Sequence, residues 1–187
     1  MKFISTAVTG TYILELEKIH DDRGYFARSW SRDEFEEHGL EANLAQCSIS
    51  FNKKKGTLRG MHFQIPPSAE AKLVRCTRGA FFDVVLDLRP GSKSFLQWQG
   101  VELTSDNSQM LFIPKGCAHG FQTLSDNTEI FYQISEKYAP EHARGVRWDD
   151  SLFGVQWPVP VTVISDRDKS YPDSLTADFE ELASMEK

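Results

Sequence analysis

The feature that most constrains the fold is a series of short segments rich in β-branched and aromatic residues, each bounded by turn-forming residues. These segments recur roughly every 8–15 residues with no helical pattern between them, which favours an antiparallel sandwich or barrel over alternating strands and helices. The predicted strands are residues 12–17, 44–50, 71–79, 80–88, 96–104, 109–114 and 128–135.

Only two segments have a helical pattern. Residues 31–38 begin at Ser31, carry acidic residues in the first turn and end before Gly39, as expected for a capped helix. Residues 175–186 have a similar pattern. No linker or repeat is visible, so the sequence predicts a single β domain over residues 1–187 with short peripheral helices.

Composition narrows the class of protein. With 40% hydrophobic residues the chain is too apolar for intrinsic disorder, and its net charge of −6 argues against binding nucleic acid through bulk charge. No segment approaches the ~18 apolar residues of a membrane span, and the N-terminus does not have the pattern of a signal peptide. The three scattered cysteines (Cys47, Cys76 and Cys117) form no CxxC pair and no disulfide framework, so we expect the protein to be located in the reducing cytoplasm.

A first block of candidate functional residues lies in residues 56–64, where two glycines bracket an arginine and precede a histidine. Glycine inside a strand often marks a β-bulge or a close approach to the backbone. Arg59 and His62 are three residues apart, so they share one face of a strand only if a bulge occurs at Gly60. The sequence therefore predicts a bulge there.

A second block follows the apolar strand at 109–114, where Pro114-Lys115-Gly116 predicts a turn that presents His119 on the next strand. Two histidine-bearing strands could belong to a metal-binding jelly roll. Gln64 stands where such proteins usually have a second histidine, which leaves His62 and His119 as ligands. A stable site normally takes three or four protein ligands, so no metal is expected.

Taken one at a time, these residues have ordinary structural explanations: a core histidine for His62, a solvated strand position for Lys72, a strand aromatic for Tyr132 and a turn cap for Asp168. In combination they resemble the dTDP-4-dehydrorhamnose 3,5-epimerase family over residues 12–172. The motifs that carry the resemblance are Asp22–Phe26, Leu58–Gln64, Pro66-Pro67, Lys72–Arg75, Arg78-Gly79, Phe82–Val84, Asp87–Arg89, Ile113–Phe121, Tyr138–Glu141, Arg144–Asp150 and Ser165–Asp168.

The resemblance implies an all-β, cupin-like double-stranded β-helix (a jelly roll) that forms a homodimer and uses no cofactor or metal. It implies epimerisation at C3, and possibly also C5, of a 4-keto-6-deoxyhexose linked to a nucleoside diphosphate, with a dTDP sugar favoured. Neither nucleic acid nor membrane is an expected partner. A sugar-binding cupin without catalytic activity is the alternative, which would be favoured if His62 and Asp168 lay too far apart to form a hydrogen bond.

The resemblance also implies roles for individual residues. His62 corresponds to the general base, Asp168 to the carboxylate that orients it, Tyr132 to the acid and Lys72 to the cation beside the developing enolate. These residue types suit the chemistry, because inverting a carbon next to a ketone needs a base, an acid and a stabilised enolate. The expected substrate contacts are Arg23, Phe26, Arg28, Gln46, Ser48, Arg59, His119, Tyr138 and Arg167.

Four positions depart from the family pattern, and all four concern ligand binding rather than proton transfer. Arg28 stands where glutamate is usual, Ser48 where asparagine is usual, Ala143 where a second glutamate is common, and Arg167 where lysine is common. The choice among dTDP, CDP, GDP and UDP therefore stays open at the level of sequence, as does the exact sugar.

Overall fold

The computed structural model describes residues 1–172, so the helix predicted at 175–186 lies outside the described residues. Within that range the chain forms thirteen strands and two short helices. The strands are β1 Lys2–Ser5, β2 Tyr12–Glu15, β3 Ile19–Asp21, β4 Gly24–Phe26, β5 Gln46–Asn52, β6 Leu58–Gln64, β7 Lys72–Arg78, β8 Ala80–Asp87, β9 Trp98–Thr104, β10 Met110–Ile113, β11 Cys117–Thr123, β12 Thr128–Ile134 and β13 Ala143–Gly145. The helices are α1 Arg32–Glu37 and α2 Asp166–Lys169.

Two antiparallel sheets face each other. One has the order β1-β2-β10-β7-β12-β5 and the other the order β13-β6-β11-β8-β9, while β3 and β4 form a separate hairpin. Side chains from both sheets meet in one apolar core between them, among them Val74 and Ile130 from the first sheet and Phe81, Val85 and Phe121 from the second. The predicted all-β jelly roll is confirmed, and the seven predicted strands are present with ends displaced by no more than two residues.

Strand β8 is buried on both of its faces. Its alternation places Phe81 and Val85 in the core between the sheets, while Val84 and Leu86 point to the opposite side. There they pack with a segment after β13 that includes Phe153. A strand covered on both sides carries few polar residues, so a buried carboxylate within it is expected to have a specific partner or role.

Helix α1 covers half of the outer face of the six-stranded sheet. Its Phe35 is fully buried and packs with Leu14, Leu73 and Phe112, which come from β2, β7 and β10. The helix predicted at 31–38 is thereby confirmed, although the Ser31 side chain makes no capping hydrogen bond. The other half of this face, on β5, leaves Ile49 65% exposed.

The helices in the part of the chain that the structure describes are all too short or too polar to cross a membrane.

The bulge predicted at Gly60 is confirmed by the pairing of β6 with β11. His119 lies opposite His62 and Phe121 lies opposite Arg59, so three steps along β6 match two along β11. Gly60 has φ +140°, and a Cβ there would lie 2.5 Å from the Cα of Gly120. The strands therefore approach closely at a point that only glycine permits.

Gly60→Ala should lower the free energy of unfolding by about 3 kcal/mol, because a methyl group would collide with the backbone of Gly120 and the residue would keep an unfavourable φ. Urea denaturation measures this change. Gly39→Ala is the matched control: Gly39 also has a positive φ, but its Cβ would meet nothing within 4 Å. A loss at Gly60 no larger than at Gly39 would contradict the close approach.

Candidate active site

A cavity of about 320 Å³ lies between the two sheets, and most of the predicted site residues line it. Strands β5, β7 and β12 contribute one wall, and β6 and β11 contribute the other. The predicted residues that line it are Gln46, Ser48, Arg59, His62, Lys72, His119, Tyr132, Tyr138 and Arg167. Arg59 and His62 reach the same cavity because of the bulge between them.

His62 is held by the predicted carboxylate. Its Nε2 lies 2.7 Å from Oδ1 of Asp168, 106 residues further along the chain. The other carboxylate oxygen accepts the backbone N–H of Gly60 at 3.3 Å, and the hydroxyl of Ser165 accepts the N–H of Asp168 at the start of α2. Burial alone would raise the pKa of Asp168, but the hydrogen bond and charge of His62 hold it below its usual value. The pair therefore contains an ionised carboxylate.

Tyr132 lies in the interior of β12, and its ring centroid is 6.0 Å from that of His119 in an edge-on arrangement. Burial raises the pKa of its phenol strongly, and the nearby charge of Asp83 raises it further, against the opposing effect of Arg59. The phenol therefore keeps its proton throughout the neutral pH range. A buried, protonated phenol beside a cavity can donate a proton to a bound molecule.

The sequence analysis missed Asp83, which lies fully buried in the middle of β8. Its Oδ1 is 2.6 Å from Nε2 of His119, whereas Oδ2 has no hydrogen-bond partner within residues 1–172. Burial raises the pKa of Asp83, and the nearby His119 opposes the rise. An acidic residue inside an apolar strand was the sequence signal that could have identified it.

Lys72 has a close acidic partner that the sequence analysis also missed. Its Nζ lies 2.8 Å from Oε1 of Glu70, and the two side chains are each 10% exposed. Glu70 in turn accepts a hydrogen bond from Nε2 of Gln64 at 2.9 Å. Lys72 is thus a buried ammonium with a fixed counter-ion rather than a solvated strand residue.

Of the three arginines that line the cavity, Arg59 and Arg167 are exposed and Arg144 is half-buried. Nε of Arg59 donates to Oδ1 of Asn52 at 2.9 Å. Arg167 donates to the hydroxyl of Tyr171 at 2.9 Å and to that of Tyr138 at 3.5 Å. Two guanidinium groups, one of them beside the exposed ring of Tyr138, suit an anionic ligand that carries an aromatic base.

Three predicted substrate contacts lie outside this cavity. Arg23 and Phe26 belong to the β3–β4 hairpin, where Arg23 pairs with Asp21 and Phe26 is 74% exposed. Arg28, just after the hairpin, pairs with Glu34 of α1 at 3.2 Å. The structure of one chain does not bring these residues to the other predicted contacts.

Within residues 1–172, no three or more His, Cys, Asp or Glu side chains gather into a group that could hold a metal ion. Gln64, which occupies the position of the missing histidine, uses its amide oxygen to accept the N–H of Ala139 at 2.7 Å. The expectation that no metal is used stays a prediction.

A comparison with known protein families shows which family this chain resembles. The family model described as dTDP-4-dehydrorhamnose 3,5-epimerase matches residues 5–175. The chain belongs to this family. The dTDP-4-dehydrorhamnose 3,5-epimerases act on nucleotide sugars as isomerases, so the predicted family and enzyme class are confirmed.

Individual members of the family agree over nearly the whole chain. The dTDP-4-dehydrorhamnose 3,5-epimerase of Sinorhizobium fredii is 41% identical over 92% of this chain and 89% of its own. The crystal structure of the Bacillus anthracis enzyme with TDP and PPi bound has a TM-score of 0.87 and 40% identity, covering 91% of this chain and 98% of its own. That of ChmJ, a 3'-monoepimerase from Streptomyces bikiniensis in complex with dTDP-quinovose, has a TM-score of 0.87 and 29% identity, covering 97% and 94%.

Asp168→Ala should lower the free energy of unfolding by about 2 kcal/mol at pH 7, since it removes hydrogen bonds to a charged group. Because the pKa of Asp168 is depressed in the folded state, this stabilisation is complete above the unfolded value of about 3.9 and is lost as the pH falls through the folded value. Urea denaturation of wild type and variant at pH 7 and pH 3 should therefore show the difference shrinking in acid. Asp166→Ala, an exposed carboxylate of the same helix, is the control. A difference independent of pH would refute the assignment.

Proposed function

We propose that this chain inverts C3, and in the full form of the reaction also C5, of a 4-keto-6-deoxyhexose linked to a nucleoside diphosphate, in the biosynthesis of deoxysugars. The observation that carries the proposal is the 2.7 Å hydrogen bond between His62 and Asp168 beside a cavity that Tyr132 and Lys72 also line. The same bond argues against a sugar-binding protein without catalytic activity, which has no need of an oriented base.

The first step of the proposed reaction removes the proton on the carbon next to the ketone. Nε2 of His62 donates to the ionised Asp168, which leaves the lone pair on Nδ1 free to accept that proton. The electron pair of the broken C–H bond moves onto the C4 oxygen and forms an enolate. The ammonium of Lys72, on the opposite wall of the cavity, stabilises the charge on this oxygen.

The second step returns a proton to the same carbon from the other face of the ring, which inverts the centre. Tyr132 suits this role because its phenol lines the cavity and carries a proton at neutral pH. The phenolate that remains regains a proton from water, and the imidazolium of His62 releases one to water. Tyr132 comes from the six-stranded sheet and His62 from the five-stranded sheet, so the acid and the base stand on opposite walls. A ring held between two walls can lose a proton on one face and gain one on the other.

We further propose dTDP as the nucleotide. The similar structures contain TDP and PPi in the Bacillus anthracis protein and dTDP-quinovose in ChmJ. In this chain, Arg59 and Arg167 supply positive charge for a diphosphate, and the exposed ring of Tyr138 can stack on a base. Since ChmJ is a 3'-monoepimerase and the Bacillus anthracis protein a 3,5-epimerase, inversion at C3 is the part of the reaction common to both.

We also propose that the protein forms a homodimer and is located in the cytoplasm. The uncovered half of the six-stranded sheet exposes Ile49 and Phe51, and the β3–β4 hairpin exposes Ile19 and Phe26. A second copy would bury these apolar side chains. It could also place the hairpin beside the partner's cavity, which would explain why Arg23 lies outside the cavity of its own chain.

The cysteines in the described residues are unpaired, as suits a reducing compartment.

In deuterated water with a dTDP-4-keto-6-deoxyhexose, the wild-type protein should introduce deuterium at C3, as measured by NMR or mass spectrometry. His62→Ala should reduce this exchange about 10³-fold, within the range for loss of a general base. Tyr132→Phe should reduce formation of the epimer by about 10²-fold or more but slow exchange less, because removal and return use different groups.

Tyr12→Phe, a change in β2 away from the cavity, serves as the control and should leave both rates unchanged. The CDP-, GDP- and UDP-linked keto sugars test the choice of nucleotide. Wild-type protein that exchanges no deuterium into any of these sugars would refute the catalytic proposal, and faster exchange with another nucleotide would refute dTDP.

Ile49→Glu should convert the dimer into a monomer, because it places a charge in the apolar surface that we expect the partner to bury. Size-exclusion chromatography with light scattering measures the mass directly. Leu152→Glu, an exposed apolar position beyond β13, is the matched control and should remain dimeric. A monomeric wild type, or a dimeric Ile49→Glu variant, would contradict this interface.

A further inference from the structure

Glu70, the partner of Lys72 in a buried ion pair, has no role in the reaction steps proposed above. Glu70 lines the cavity, and its Oε1 lies 2.8 Å from the ammonium of Lys72. We propose that Glu70 is a positioning residue that fixes this ammonium where the enolate oxygen forms, and that Gln64 fixes Glu70. This inference rests on the proposed function, since it assigns the geometry of Lys72 in that reaction.

Both oxygens of the Glu70 carboxylate are engaged by a donor. Oε1 faces Lys72, and Oε2 accepts the hydrogen bond from Nε2 of Gln64 at 2.9 Å. Gln64 is itself 2% exposed, so its amide cannot exchange these partners for bulk water. A carboxylate with a partner on each oxygen has little freedom to rotate, and the ammonium bound to it is therefore also restricted in position.

The amide of Gln64 also holds the main chain on both sides of Tyr138. Its Oε1 accepts the N–H of Ala139 at 2.7 Å. Besides Glu70, its Nε2 has the carbonyl oxygens of Ser68 at 2.8 Å and Lys137 at 3.1 Å within reach, so its two N–H bonds are shared among three acceptors. Tyr138 is the exposed ring that we propose for stacking on the nucleotide base. One buried side chain thus connects the main chain beneath the proposed base-stacking ring to the counter-ion of Lys72.

Positioning matters for this cation because the side chain of lysine is long and flexible. Its free rotamers carry about 2 kcal/mol of conformational entropy, and a displacement of about 1 Å at a reacting centre can cost about a hundredfold in rate. An ammonium has three N–H donors, so the bond to Glu70 leaves two others for the cavity. The carboxylate also compensates the charge of a cation that is almost completely buried.

The decisive variant is Glu70→Gln, which keeps the shape of the side chain and can still accept from Gln64 but removes the charge. We expect kcat for C3 deuterium exchange to fall about tenfold or more, with KM within about twofold of wild type. Combined with Lys72→Met it should cause no further loss, because Glu70 acts only through Lys72. Glu41→Gln, which removes a carboxylate from the Glu41–Lys115 ion pair elsewhere, is the matched control and should leave kcat unchanged.

Gln64→Met tests the connection to Tyr138. It should lower kcat as Glu70→Gln does and also weaken the binding of dTDP measured by calorimetry, because it releases the main chain on both sides of Tyr138. Glu70→Gln should leave dTDP affinity unchanged. An unchanged kcat in Glu70→Gln, or an equal loss in the presence of Lys72→Met, would overturn the positioning role.

A second measurement separates this inference from the proposed function. In protein labelled with ¹⁵N at the lysine Nζ atoms, the buried ion pair should protect the Lys72 ammonium from exchange with water and give an observable NMR signal, identified by its absence in Lys72→Met. This signal should be lost or strongly shifted in Glu70→Gln and unaffected in Glu41→Gln. If the wild-type protein shows no deuterium exchange, the proposed function fails; a Lys72 signal unaltered by Glu70→Gln overturns the positioning of Lys72 in either case.

Discussion

The arrangement of this cavity depends on one carboxylate, that of Asp168. One of its oxygens faces Nε2 of His62, and the other accepts the N–H of Gly60 inside the bulge that gives His62 its direction. The same side chain therefore stabilises both the irregular backbone of β6 and the imidazole that emerges from it. It comes from a four-residue helix more than a hundred residues away, so the orientation of His62 depends on a contact between distant parts of the chain.

An acidic side chain accompanies each of three basic groups on the cavity wall. Asp168 pairs with His62, Asp83 with His119 and Glu70 with Lys72. Burying such pairs costs desolvation energy that their mutual attraction does not reliably offset, so they contribute little to the stability of the folded state. Their concentration around one cavity is better explained by chemistry, because each partner fixes the direction of a group that we propose to contact the substrate.

Much of the fold was predictable because it follows local rules. The alternation of apolar residues gave the strands, and the spacing of Arg59 and His62 around a glycine gave the bulge. Asp83 was not assigned, because its role depends on His119 being brought within 3 Å of it by the pairing of β8 with β11. Glu70 lies only two residues before Lys72, and the contact of its carboxylate with the ammonium depends on the conformation of the segment that leads into β7. The position of Arg23 outside the cavity could not be foreseen either, since it depends on where a hairpin folds in three dimensions.

The residues that we propose for proton transfer lie inside the two large sheets, whereas several proposed substrate contacts lie outside them. This separation affects how the specificity of such an enzyme can change. His62, Lys72, His119 and Tyr132 all lie within the two large sheets, where pairing on both sides of a strand fixes their register and a slip of one residue would turn a side chain to the opposite face. Tyr138, Arg167 and the β3–β4 hairpin lie outside those sheets. Insertions and substitutions at the rim can therefore alter which sugar nucleotide is accepted while the residues that we propose for proton transfer stay in place. The scaffold is accordingly well suited to diversification by evolution, and to redesign by exchange of its peripheral segments.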